Sequence, residues 1–227
     1  MLVSFTGGKL IDDNSQTVTF LGAAGTKQDY YNRKAEKSLS AQDVSRRLVI
    51  SGNYIVPVGR HKKFLANLPK PLEFAIGGWQ ANGIYTTQTA IPFAISNGAN
   101  NAQIGNPGQR LNNNGRTAKK EGPIDQRLSA YFDPSVFSQA GNFTFGNTSR
   151  FSPDLRGPSL FNIDFSILKN FKLKERLNAQ FRMEAFNGFN HPTLGTPGWT
   201  VNSPATFGVI TAASGNRTMQ VAIKINY

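Results

Sequence analysis

Three charged residues stand at alternating positions in two short stretches: Asp164 in "LFNIDFSI", and Arg182 with Glu184 in "RLNAQFRMEAF". A guanidinium between carboxylates is the raw material of an ion pair, and if the two stretches are neighbouring strands the pair would cross between them on one face. Exposed pairs of this kind contribute only ~0–1 kcal/mol, so holding strand register is their default role and binding a solute the stronger claim. Asn162, Gln180 and Lys224 fall on the same alternating positions of their own stretches and complete a candidate polar surface.

Other chemistry is sparse. The chain has no cysteine, which excludes disulfides, zinc–thiolate centres and cysteine nucleophiles. Its two histidines, His61 and His191, fall in a turn and a loop with no acid-rich ligand spacing around them, so a surface role is expected and no metal, cofactor or catalytic site. Three Asn-x-Ser/Thr sequons, at Asn142, Asn147 and Asn216, carry meaning only in a eukaryotic secretory pathway.

The net charge of +12 raises the question of a polyanionic partner. The basic residues are scattered through irregular segments (Arg33, Lys34, Lys37; Arg60, Lys62, Lys63; Arg110, Arg116, Lys119, Lys120), and no aromatic stacking platform is interleaved with them. That arrangement argues against nucleic acid and leaves an anionic surface.

The elements that would carry these residues are strands. The last nine residues, "MQVAIKINY", alternate between Met219, Val221, Ile223, Ile225 and Tyr227 on one side and Gln220, Ala222, Lys224 and Asn226 on the other. "LFNIDFSI" and "RLNAQFRMEAF" alternate as regularly. "RRLVISGNYIV" sets Leu48, Ile50, Gly52 and Tyr54 against Arg47, Ser51 and Asn53, with Val49 and Ile55 on the polar side. "EFAIGGWQANGIYTTQ" sets Ala75, Trp79, Ala81 and Tyr85 against Gln80, Asn82, Thr86 and Gln88, and "LVSFTGG" reads as the end of another strand. No strong helix signal accompanies them, and no run of about 18 apolar residues supplies a transmembrane helix. "MLVSFTGGKL" lacks the pattern of a signal peptide, so an exported protein would have lost its true N-terminus.

Two-faced strands fit two settings. In a soluble sheet the apolar face meets a core; in a membrane barrel it meets lipid, and the polar face lines a wet lumen, which also keeps mean hydropathy as low as the −0.35 of this chain. The links decide between them. Long and short links strictly alternate, so in an antiparallel meander all long ones lie at one end and the short turns "VPVGRHKKFLANLPKP" and "LKNFKLKE" lie, with the C-terminus, at the other. Outer-membrane barrels have this parity, with short periplasmic turns and long extracellular loops. The long segment "NGANNAQIGNPGQRLNNNGRTAKKEGP" is dominated by Asn, Gly and charge and is expected to be mobile, whereas "DPSVFSQAGNFTFGNTSRFSPDLRGP" carries aromatics that could pack over a barrel mouth.

The tetrad "LRGP" at 155–158, the following strand with "KNF" at 169–171, and "RMEAFNGFNHP" at 182–192, ahead of an aromatic-terminated strand, resemble in order and spacing the C-terminal barrel segment of Oar-like TonB-dependent outer-membrane receptors. The resemblance runs over nearly the whole chain from about Lys9. It implies an all-β, antiparallel, up-and-down transmembrane barrel segment: about six C-terminal strands of a larger barrel of the 22-stranded type, with long extracellular loops and a plug in the lumen. The whole chain, 1–227, would be the C-terminal part of that barrel domain. The sequence shows no plug, no TonB-contacting box and no signal peptide, and six strands fall short of the eight that close a small barrel, so a truncated gene or misassigned start is the expectation.

The resemblance further implies energised uptake of an unidentified substrate in the outer membrane of a Gram-negative bacterium. The partners it implies are outer-membrane lipid and lipopolysaccharide, the barrel-assembly machinery, and a TonB complex reached through the missing N-terminal part. Tyr227 would be the terminal aromatic read by the assembly machinery, where the family usually has Phe; Trp79 and Tyr54 would sit in an aromatic girdle. Asn162, Asp164, Gln180, Arg182, Glu184 and Lys224 would face the lumen, where the charged residues could pin the plug. A passive or adhesive surface barrel, or a secreted β-rich binding module, would need neither plug nor TonB box.

Overall fold

The computed structural model describes residues 1–13, 27–103, 109–173 and 177–226. Six strands form one antiparallel sheet: β1 (Leu2–Gly7), β2 (Arg46–Ile55), β3 (Trp79–Gln88), β4 (Leu160–Lys172), β5 (Asn178–Phe186) and β6 (Thr218–Asn226), each hydrogen-bonded to its neighbours in chain order. The meander expected from the alternating segments is therefore present.

Register keeps the two faces separate across all six strands. Ile223 of β6 pairs with Phe181 of β5, Met183 with Ile167 of β4, Phe165 with Gly83 of β3, and Tyr85 with Ile50 of β2. Because successive side chains alternate, the intervening residues Ala222, Arg182, Ser166, Asn82 and Asn53 share the opposite face. A slip of one residue in any strand would exchange its faces, so a sheet-wide match of this kind is strongly specified. Among the described residues the sheet does not close: β1 and β6 each have one neighbour there.

Two element boundaries differ from the sequence expectation. A first short helix, α1, spans Arg33–Glu36; β3 begins at Trp79, and the residues ahead of it, Lys70–Ile76, form a second, α2, where the sequence pattern places Glu73 and Ala75 at the start of a strand. Pro71 suits the first turn of a helix, and Gly77 ends it with its N–H on the Glu73 carbonyl at 3.0 Å. Two turns are too short to display a 3.6-residue period. β4 runs on to Lys172, because Leu168, Asn170 and Lys172 find ladder partners in Arg182, Gln180 and Asn178 although Lys169 breaks the alternation. Among the described residues no helix is long and apolar enough to cross a membrane, which says nothing of crossing by strands.

At one end of the sheet the described residues of three links, 8–13 with 27–45, 89–103 with 109–159, and 187–217, build a folded cap. Its centre is Phe132, 1% exposed, with the rings of Phe93, Phe137 and Phe207 at 6.0, 6.1 and 5.2 Å and with Leu111 and Leu155 buried beside it. A second cluster, Leu39, Ala41, Ala94 and Phe151, joins the first link to the second. This corrects the expectation that the Asn- and Gly-rich segment is merely mobile: Leu111 and Ala118 of that segment are in the core, although 104–108 lie outside the described residues. Their spacing follows no period, so a search for strands and helices passes over them.

Candidate functional site

The polar face of the sheet gathers the candidate residues. Asn162, Asp164, Gln180, Arg182, Glu184 and Lys224 all occupy its register positions, paired with Thr86, Ile84, Asn170, Leu168, Ser166 and Gln180 respectively. Side-chain hydrogen bonds run across it from strand to strand: Asn53 Nδ2 donates to Asn82 Oδ1 at 2.6 Å, Asn82 Nδ2 to Ser166 Oγ at 3.0 Å, and Gln180 Nε2 to Asn170 Oδ1 at 2.8 Å. Gln220 on β6 donates to Glu184 on β5. A depression of about 260 Å³ brings Asp164, Arg182 and Glu184 together with Asn82, Ile84 and Ser166.

The ion pair differs from the expectation in direction. Arg182 Nη2 meets Glu184 Oε1 at 2.6 Å, along β5 rather than across strands. Arg182 stands opposite Leu168, four residues from Asp164 on β4, a displacement of roughly 13 Å at strand rise. Asp164 instead accepts the backbone N–H of Asn187 at 2.8 Å. Asn187, at φ 48°, leaves the ladder there and donates from its amide to the carbonyls of His191 and Gly215, so "FNGFNHP" is the knot that ends β5.

The apolar face has its own polar feature. Lys169 projects from it yet is 2% exposed, its Nζ donating to the Phe74 carbonyl of α2 at 2.6 Å and lying 5.4 Å from the Trp79 ring and 5.1 Å from that of Phe171. Trp79 donates its indole N–H to the Ala75 carbonyl at 3.2 Å and meets Phe181 edge-on. Tyr54, opposite Ala81, is 61% exposed on the same face. Tyr227 lies outside the described residues.

At the opposite end the cap is tied by three ion pairs that spacing could not announce, because the partners come from different links. Arg110 pairs with Glu36, Arg150 with Asp12 and Arg156 with Asp43. Both members of the first pair are buried. Burial pushes the Arg110 guanidinium down from its ordinary value, partly offset by Glu36. Burial works against the Asp43 carboxylate, but the Arg156 guanidinium, the Leu10 amide and the Ser45 hydroxyl outweigh it and hold the carboxyl below its usual range. The Gln28 amide clips the same region, accepting from Arg110 N at 2.9 Å and Gly146 N at 3.1 Å and donating to Gly146 O at 3.0 Å. Gly146 packs so close to the Arg110 carbonyl that no Cβ fits.

These pairs remove Arg110, Arg150 and Arg156 from the free positive charge of the long links. Arg33, Lys34, Lys37, Arg116 and Lys119 stay exposed, although Arg33 pairs with Asp13 and Lys119 with Glu121, each at 2.6 Å on the surface. Of the residues in the "LRGP" tetrad, Arg156 was visible as part of a motif, and its job is structural: its Nη1 also donates to the carbonyls of Ala90 at 2.8 Å and Asp43 at 3.0 Å. Beside the core a cavity of about 330 Å³ is lined by Phe93, Phe137, Asn113, Asn147, Ser149 and Ser152, among others. Among the described residues no three His, Asp or Glu side chains are placed to share a metal ion.

A family model described as "Outer membrane beta barrel domain" matches residues 1–220. No curated protein and no solved structure matches the chain.

Proposed function

The chain belongs to the outer membrane β-barrel domain family and resides in the bacterial outer membrane, and from that premise we propose that it is the C-terminal portion of a TonB-dependent transporter or receptor barrel of the Oar-like kind. The observation that carries this reading is the open sheet: two unlike faces run in one register through six strands, yet among the described residues β1 and β6 each leave one edge without a neighbour. Unpaired backbone groups in hydrocarbon cost several kcal/mol each, so a spanning sheet of this form needs further strands to close. The motif order described above supports the Oar-like assignment.

In this reading the polar face lines a hydrated lumen, and the depression holding Asp164, Arg182 and Glu184 is where a plug would be pinned. The cap is extracellular, and its exposed basic residues meet lipopolysaccharide phosphates. Tyr227 serves the barrel-assembly machinery, Trp79 and Tyr54 belong to the girdle, and TonB is engaged through a separate N-terminal part. The reading includes no catalytic step and no cofactor.

The packed aromatic cap favours one other reading, an adhesive barrel whose rigid outer surface is itself the functional part. The coding sequence upstream of Met1 separates the two. In-frame continuation through more two-faced strands to a plug and a TonB-contacting segment supports the transporter; continuation through strands to a signal peptide without a plug refutes it.

A further inference from the structure

The segment between β2 and β3, residues 56–78, lies at the end of the sheet opposite the cap and is more than a turn. A tight loop is closed by Gly59 N to Phe64 O and Phe64 N to Pro57 O, both 3.0 Å, and is locked to α2 where Arg60 N donates to the Glu73 carboxylate at 2.7 Å. The helix is in turn fixed to the apolar face of the sheet: Lys169 holds its Phe74 carbonyl, and the Phe74 ring lies 4.8 Å from that of Phe171. The whole unit is thus seated where the lipid-facing surface ends.

Its exposed composition is amphipathic. Phe64, Leu65, Leu72, Phe74 and Ile76 are between 41% and 56% exposed. Lys62, Lys63 and Lys70 are exposed among them, and Glu73, the segment's one acidic residue, is spent internally on Arg60 N. Apolar side chains with lysines around them, carried at the boundary of an apolar sheet face, match a bilayer interface, where acyl chains lie beside anionic headgroups.

We propose that residues 57–77 form an interfacial platform that selectively binds anionic phospholipid of the periplasmic leaflet, with Leu72, Phe74 and Ile76 among acyl chains and Lys62, Lys63 and Lys70 at the headgroup phosphate. The side of the membrane follows from the short-link end being periplasmic in outer-membrane barrels. The platform needs only the outer-membrane setting and holds whether the barrel is a transporter or an adhesin.

The test uses protein assembled in the outer membrane of a Gram-negative host, purified and reconstituted into phosphatidylcholine bilayers with trace spin-labelled phosphatidylglycerol or phosphatidylcholine. The fraction of motion-restricted label measures selectivity. Wild type should retain phosphatidylglycerol several-fold better than phosphatidylcholine, the preference should shrink with added salt, and the triple variant Lys62→Gln, Lys63→Gln, Lys70→Gln should lose it. The charge-conserving triple Lys62→Arg, Lys63→Arg, Lys70→Arg should keep it, and dissolved inorganic phosphate should not compete. Equal retention of the two lipids by wild type, selectivity that survives the glutamine triple or vanishes with the arginine one, or displacement by inorganic phosphate would each overturn the proposal.

Discussion

Ile223 stands directly opposite Phe181 in the β5/β6 ladder, and one step along each strand Ala222 stands opposite Arg182 on the other face. Adjacent positions thus report on opposite environments. Arg placed at Ile223 is expected to cost roughly 2–4 kcal/mol of barrel stability, as for a charge near the bilayer midplane, while Arg at Ala222 should cost far less. Surface assembly and denaturant midpoints of the two variants make the comparison.

The buried and exposed ion pairs should behave differently. Removing Glu36 leaves Arg110 buried without its carboxylate, and Glu36→Ala is expected to destabilise the cap by about 3–5 kcal/mol. Arg182→Ala breaks a partly exposed pair and should cost about 1 kcal/mol or less. Hydrogen exchange of cap and sheet amides in each variant separates the two.

Phe132→Ala is expected to cost about 3–5 kcal/mol, because the rings of Phe93, Phe137 and Phe207 would face a cavity. The loss should fall on the cap alone. Limited proteolysis on intact cells should open the long links, including 109–122, while the sheet stays protected.

Cap stability should fall in acid. The Asp43 carboxyl is held below its unfolded value, so its contribution is fully present above the ordinary aspartate range of about 4 and is lost as pH falls through the lower folded value. Asp43→Asn should be less stable at neutral pH, since Arg156 loses its partner, but flatter below about pH 4. Exchange protection of the cap amides against pH gives both curves.

The strands were legible because alternation is a local property: from Phe161 to Ile167, and from Met219 to Ile225, every second residue is apolar, and pairing only had to align patterns already present. The shared polar face of Asp164, Arg182 and Glu184 followed from the same parity. Their pairing did not, because whether Arg182 meets Glu184 or Asp164 depends on how far one strand slides along the next. The aromatic segment 133–158 reads as one that could pack over the sheet's end, and Phe137, Phe151 and Leu155 are buried there, but the cap's own pairings were illegible for a different reason. Glu36 and Arg110, or Asp12 and Arg150, lie far apart in the chain and meet only after the first two long links fold over one another, and Phe132 sits in no periodic pattern. Lys169 and α2 were hidden together: a lysine on an apolar face looks like the end of a strand until a helix supplies carbonyls for it.

The central claim is that the odd-numbered face of β5 meets lipid and the even-numbered face meets water. With no native cysteine to remove, single cysteines at each position from 179 to 185 can carry a nitroxide in the membrane-assembled protein, and its collisions with oxygen and with a water-soluble nickel chelate can be measured. Oxygen access should peak at 179, 181, 183 and 185 and nickel access at 180, 182 and 184. The opposite phase, or no period of two, would contradict the account.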